Sequence, residues 1–266
     1  MIFELENRSL FNVTGTSAHD FMQSQLSNDI ALLEANKIQI NAYCQHQGKI
    51  TSLLWVFTHE GELFFSCPKN LTETVISRFN IFKLMSDVNF NDCSESYKLY
   101  GTDENYDKNF FTLKNSLKIF ISDNDINEAS RSLNHWELLN INERLPEVDK
   151  STSEKFVPQN LNLDQDGLGV SFTKGCYPGQ EVVARMHYLG KPKRRMFLFE
   201  TDGRVNSGDI LNVQGSKLHK SSGIVVRSAK TNLGSRFLAS LLLDDRDKNI
   251  FINNDTKKQA FIIDEK

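Results

Sequence analysis

Two rhythms run through the chain, a two-residue alternation of apolar and polar side chains and a three-to-four-residue recurrence of apolar ones. Ser9–Thr14 alternates and reads as a short strand ending at a Gly15 turn. Ser17, with Asp20 three residues on, is a variant capping box that opens a helix over Ala18–Leu26, with Phe21, Met22 and Leu26 as its apolar residues. Two strand-like runs follow, Ile38–Gln45 and Ile50–Phe57, joined through His46-Gln47-Gly48-Lys49, where Gly48 supplies the permissive backbone of a hairpin turn. Glu60-Gly61 turns the chain into Leu63-Phe64-Phe65, and the spacing of Leu71, Val75, Phe79 and Phe82 predicts a helix.

Val88–Phe90, Lys98–Tyr100 and Leu117–Ile121 read as further strands, with the polar stretch Asp103–Asn109 between the last two. Ile126, Ala129, Leu133 and Trp136 predict the apolar face of another helix. Strand and helix signals interleave without regular βαβ spacing, so the pattern favours α+β over a doubly wound sheet. From Arg195 onward the chain turns to short β-like runs: Met196–Glu200, Ile210–Val213, Gly223–Val226, Arg236–Leu243, Ile250–Ile252 and Ala260–Ile263. Turn pairs lie between them (Asp202-Gly203, Ser207-Gly208, Gln214-Gly215, Asn253-Asn254), which predicts a small antiparallel barrel or sandwich. A domain boundary is expected near Gly190–Lys193, and no internal repeat is evident.

Composition narrows the class without naming it. The 266 residues suit two or three compact lobes, and 39% hydrophobic with 24% charged residues is a globular balance. No apolar run is long enough to span a bilayer, and Met1–Glu6 lacks a basic segment before an apolar core, so a cytoplasmic protein without membrane contact is expected. The four cysteines (Cys44, Cys67, Cys93, Cys176) form no C-x-x-C pair, which argues against zinc ribbons and redox dithiols, and no metal site is expected. Cys44, Cys67 and Cys93 sit in or beside strand-like runs and read as core or incidental.

Candidate chemistry concentrates in Ser171–Arg185. Gly175 and Gly179 allow a tight backbone around Cys176, Pro178 suits the first turn of a helix, and Gln180–Tyr188 reads as that helix, with Val182, Val183 and Met186 on one side. A cysteine just before a helix N-terminus and two residues from Lys174 is placed to favour the thiolate form; on the bare pattern a lone cysteine is more often a small buried hydrophobe. Between Lys174 and Arg195 six cationic side chains face the single Glu181, a local charge of +5 that leaves −8 for the rest of a chain whose net charge is −3. That strip suits an anion such as a phosphate, a polyglutamate tail or an RNA backbone, or it is a solvated linker.

Lys174-Gly175-Cys176-Tyr177-Pro178-Gly179-Gln180-Glu181, followed by Val183-Ala184-Arg185, resembles the K-G-C-Y-x-G-Q-E signature of the YgfZ family. These are folate-binding proteins of the aminomethyltransferase (GcvT-like) superfamily, related to mitochondrial iron–sulfur assembly factors. Phe21–Asp29 resembles that family's F-L-Q-G-Q-x-T-x-D segment, with Ser24 in place of the usual glycine. Trp136–Ile141 with Pro146 resembles its W-x-x-x-N-I…P stretch, and Phe156–Asp164 the segment before the signature. The likeness extends over about residues 9–195; the remainder agrees only in its all-β character.

The resemblance implies an α+β, three-lobed aminomethyltransferase-like fold around a central folate pocket, with a small C-terminal antiparallel β-barrel. It implies a discontinuous core lobe (1–45 plus 140–190), an inserted α+β lobe (46–139) and a barrel (191–266). It also implies tetrahydrofolate or a derivative as cofactor, contacted by Trp136 through its indole face and by Lys174, Gly175, Cys176, Tyr177, Gly179, Gln180, Glu181 and Arg185, with Cys176 as the signature thiol. Glycine-cleavage aminomethyltransferases carry N-x-x-G-G-I-x-D-D in the hairpin that here reads Gln45–Leu53, and Ser52 and Leu53 stand where the two carboxylates would be. Neither accepts a proton at neutral pH, so that activity is expected to be absent. The function expected first is a folate-binding accessory protein that supports iron–sulfur cluster assembly or repair and iron–sulfur-dependent tRNA modification, with iron–sulfur proteins or assembly factors as partners. One cysteine cannot hold an ordinary cluster alone, so ligands from a partner are implied. The alternatives are a folate-dependent one-carbon transferase or demethylase, and an RNA-binding regulator making weak tRNA contact through Lys191–Arg195.

Overall fold

Three sheets organise the chain, and the computed structural model describes residues 1–105, 109–130, 132–213 and 221–263. The first half carries β1 (Ile2–Glu4), β2 (Arg8–Thr14), α1 (Ala18–Gln25), β3 (Gln39–Cys44), β4 (Ile50–His59), β5 (Glu62–Pro68), α2 (Thr72–Lys83), β6 (Asn89–Asp92), β7 (Lys98–Thr102), β8 (Phe111–Lys114), β9 (Leu117–Ser122) and α3 (Leu133–Asn142). The second half carries α4 (Gln180–Tyr188), β10 (Arg194–Thr201), β11 (Ile210–Val213), β12 (Gly223–Thr231), β13 (Gly234–Leu242), β14 (Ile250–Ile252) and β15 (Asp255–Ile262).

The first lobe is an antiparallel sheet in the order β3-β4-β5-β2-β6. Its interior strand β4 is buried from Ile50 to Phe57 because both faces are covered. The pleat divides the work by parity: Leu53, Trp55 and Phe57 enter the core shared with the other lobes, while Leu54 and Val56 pack under α1 and α2 against Phe21, Met22, Val75 and Phe79. Glu60 and Gly61, both at positive φ (52° and 82°), make the tight β4–β5 turn. The second lobe is the sheet β1-β7-β9-β8, in which the chain's first strand pairs with β7 in the register Ile2↔Thr102.

The third lobe is a closed antiparallel barrel, β10-β13-β12-β11-β14-β15. Phe199, Val225, Phe237 and Ala239 fill its interior, and Leu198 and Leu238 turn outward to join the core shared with the other lobes. A bulge in β12 between Val225 and Arg227 shifts the alternation, so Arg227 pairs with outward-facing Leu238 and points away from the barrel interior.

The strand and helix expectations hold in kind, with local differences. Ser17 makes no side-chain cap; its N–H donates to Asp87 O, and the Asp87 carboxylate accepts from the N–H and hydroxyl of Thr16 instead. The helix expected to include Ile126 and Ala129 begins only at Leu133, because Ser130 is drawn into backbone pairing with β1 (Ser130 N to Ile2 O, 2.8 Å; Glu4 N to Ser130 O, 3.1 Å). Of the expected α4 face, Val183 alone is buried, while Val182 and Met186 lie toward the surface. The Gln214-Gly215 turn lies outside the described residues. Among the described residues no helix is long and apolar enough to cross a membrane.

Candidate functional site

A cavity of about 580 Å3 lies between the first lobe, α3 with the loop that follows it, and the barrel. The first lobe contributes Arg8 at the start of β2 and Lys69 and Asn70 after β5; α3 contributes Glu137; the following loop contributes Glu147 and Asp149; the barrel contributes Ser207, Arg227 and Ser228. Its walls carry two ion pairs. Arg8 lies 3.6 Å from the centre of the Trp55 ring, donates to the Ser66 hydroxyl and carbonyl (3.0 Å each), and pairs with Glu147. Arg227, re-aimed by the bulge, donates to both carboxylate oxygens of Glu137 (3.1 Å from Nη2 to Oε1) and to Leu145 O (3.2 Å). Burial pushes the Glu147 carboxyl up, and Arg8 and Arg227 pull it the other way. Burial likewise lowers the Arg8 guanidinium, against the opposing charge of Glu147. The cavity therefore holds partly buried, fixed charges of both signs, suited to a flat ligand with several hydrogen-bonding edges.

The segment around Cys176 lies outside that cavity and works as a mount. Lys174 is 8% exposed, and its ammonium donates to the carbonyls of Gln23 (2.6 Å) in the last turn of α1 and of Leu26 (2.6 Å) and Asn28 (2.8 Å) just past it. Burial lowers it to about 8, with Asp29 acting in the opposite sense. Tyr177 is also buried, its ring 5.6 Å from the Lys174 ammonium, and burial pushes its phenol up. On the other side Gly179, at φ +84°, sits against the β3–β4 turn. A Cβ on it would stand 2.4 Å from Gln45 O and 2.7 Å from Gly48 Cα. Between these anchors Gly175 and Cys176 are exposed, and the Cys176 thiol makes no hydrogen bond to a described residue. Gln180 reaches back to Gly175 O (3.4 Å), whereas Glu181 and Arg185 are exposed along α4. The lysine expected to favour the thiolate thus has its ammonium held by backbone oxygens in the interior.

No protein-family model matches the chain. Among characterised and uncharacterised relatives, an uncharacterized protein of Haemophilus influenzae is 28% identical over 254 residues, spanning 91% of this chain and 89% of its own. Proteins named tRNA-modifying protein YgfZ are 27% identical over 283 residues in Hamiltonella defensa (92% of this chain, 84% of that one) and 25% over 276 residues in Aliivibrio fischeri (93% and 86%). Over most of its length the chain is similar to these YgfZ proteins. Its fold is that of the glycine cleavage system aminomethyltransferase T from Bartonella henselae, matched at a TM-score of 0.68 over 99% of this chain and 84% of that one, with 11% identity.

Two of the segments that resemble the family meet in space: the Lys174 ammonium of the signature holds the backbone of the Phe21–Asp29 segment. Ser27 extends the contact, donating to Gly169 O (2.5 Å) and accepting from Ala42 N (2.8 Å). Trp136 is placed elsewhere. It is 1% exposed, its indole covers Gly101 of β7 so closely that a Cβ there would stand 2.8 Å from the ring, and Asn140 donates to its carbonyl (2.7 Å). Trp136 and Cys176 are therefore not brought together in one cavity. Cavity residues Arg8, Glu137, Glu147 and Arg227 went unnoticed in the sequence. Glu137, adjacent to Trp136 in the family-like stretch, carried the one available signal; the others needed the fold.

Proposed function

We propose that this protein binds a tetrahydrofolate-type ligand in the cavity between its lobes and supports iron–sulfur-dependent tRNA modification, with Cys176 presented outward to a partner. The observation that carries the folate reading is the pairing of Arg8 with Glu147 and of Arg227 with Glu137 in a cavity between the first lobe, α3 and the barrel of an aminomethyltransferase T-type fold. The residues fit the ligand's chemistry. A pterin offers adjacent N–H donors that a carboxylate such as Glu137 accepts through the lone pairs its arginine leaves free, and Lys69 suits the anionic tail. The volume lies within the range of small-ligand sites. The role in tRNA modification is drawn from the names of the relatives, and the iron–sulfur role from the family resemblance of the segment that carries Cys176.

Titrating purified protein with tetrahydrofolate tests the cavity. Saturable binding that weakens at least tenfold in Glu137→Gln is expected, and wild-type protein that fails to bind any reduced folate would sink the reading. The thiol is tested separately: Cys176→Ala should fail to restore iron–sulfur enzyme activity and tRNA modification in a deletion strain, and full restoration would remove it from the mechanism. An exposed thiol without a hydrogen-bonded base among the described residues supports presentation to a partner over an internally activated nucleophile.

A further inference from the structure

A groove of about 710 Å3 runs along the exposed side of α4, between the β3–β4 turn, the loop before the helix and the edge of the barrel. Its floor is aliphatic: Val157, Val182, Met186, Leu189 and Leu242 line it, with Leu189 84% exposed. Its rim is cationic, with Lys49, Arg185, Lys191, Lys193 and Arg194 against the single carboxylate of Glu181. These cations divide into two kinds. Arg194 donates to the carbonyls of Ser221 and Ser222, and Lys49 to that of Lys155. The side chains of Arg185, Lys191 and Lys193 have no hydrogen-bond or ion-pair partner among the described residues. Arg195, the neighbour that continues the basic run, is spent on Asp164. The unpaired charge therefore collects beside an apolar floor, on a protein whose net charge is negative.

We propose that this groove docks an acidic segment of a partner protein that turns at least two aliphatic side chains onto α4, bringing the partner to the helix whose leading loop carries Cys176. The inference deepens the function proposed above by naming the class of partner, and it rests on that reading only for the role of Cys176. Charge complementarity selects an acidic partner. An aliphatic, methionine-containing floor selects protein side chains, since such surfaces accept apolar faces of helices and extended peptides. RNA fits less well: no aromatic ring lines the groove, and its aliphatic floor offers bases no flat ring to stack on. A small free anion would leave the floor wetted.

A photocrosslinking side chain at position 189 in the full-length protein in cells, with one at exposed Leu233 of the barrel as control, reads out what lies on the groove. The expected product is a crosslink enriched over the Leu233 control and mapped by mass spectrometry to a net-negative segment with paired aliphatic residues. A synthetic copy of that segment should bind the wild type and lose at least tenfold in affinity in the Lys191→Glu/Lys193→Glu variant and in Leu189→Asp. All three positions are exposed, and unchanged thermal unfolding verifies that the variants fold. Crosslinks to RNA, crosslinking no stronger than from Leu233, or a peptide that binds the variants as tightly as the wild type would overturn the proposal. Loss of peptide binding with intact tetrahydrofolate binding isolates the groove, and the reverse pattern in wild-type protein overturns only the folate reading.

Discussion

Gly179 occupies φ +84° with its α-carbon against the backbone of Gln45 and Gly48, so two separate constraints exclude a side chain. Gly179→Ala forces a β-carbon to 2.4 Å from a carbonyl oxygen and strains a left-handed residue, a combined cost of about 3 kcal/mol. A lower denaturation midpoint than wild type measures it, and an unchanged midpoint would mean that the hairpin turn and α4 are not held together there. Lys174 gives a pH signature. Its folded value of about 8 lies below the ordinary 10.5, so between these two the unfolded chain holds a proton that the folded chain has released. Unfolding then takes up a proton, and the unfolding free energy gains a rising contribution with pH, at most about 1.4 kcal/mol per unit, that is flat below 8. Denaturant titrations at pH 7.5 and 9.5 should show this rise in the wild type, and its loss in Lys174→Met. Both residues were legible as members of a signature; that their work is mechanical was not, because the carbonyls and the turn they meet lie more than 100 residues away in sequence.

Element by element, legibility followed how locally each element is determined. The α4 helix falls on the expected Gln180–Tyr188 because its start is set by Pro178-Gly179 and its apolar side by neighbours in sequence. The start of α3 was misplaced because β1 competes for the backbone of Ser130, a partner about 130 residues distant. Strands β1 and β8, three and four residues long, were not anticipated and are held in place by pairing with β7 and β9. Since α4 and its leading loop are anchored by Lys174, Tyr177, Gly179 and Val183, the exposed Cys176 contributes nothing to that anchoring. Cys176→Ala is accordingly expected to leave the thermal midpoint within about 1 °C, since surface changes away from packing usually fall within ±0.5 kcal/mol. A drop of several degrees would show the thiol to be structural and would undercut a chemical explanation of any lost function.

At the scale of the whole molecule, the cavity draws on residues 7–8, 68–70, 133–149, 207 and 226–228, a set that no linear motif joins. Its arginine from the barrel faces the cavity only because one extra residue in β12 reverses the alternation, and a bulge leaves no mark in the hydrophobic pattern. The same fold serves an aminomethyltransferase in Bartonella henselae, so activity in this chain turns on side chains and not on architecture. Ser52 and Leu53 occupy the hairpin strand where the sequence comparison expects two carboxylates; both are fully buried, and Leu53 is part of the shared core. Purified protein given tetrahydrofolate and an aminomethyl donor is expected to release no methylene-tetrahydrofolate at glycine-cleavage rates, and release at such rates would refute this account of the hairpin. Restoring the residues should not restore the chemistry. Leu53→Asp would place a carboxylate among Trp55, Ile50 and the other apolar side chains of that core, where an unpaired polar group costs several kcal/mol. The variant is therefore expected to unfold at lower denaturant concentration than wild type, and a stable Leu53→Asp protein with measurable aminomethyl transfer would show that the site had been one substitution from activity.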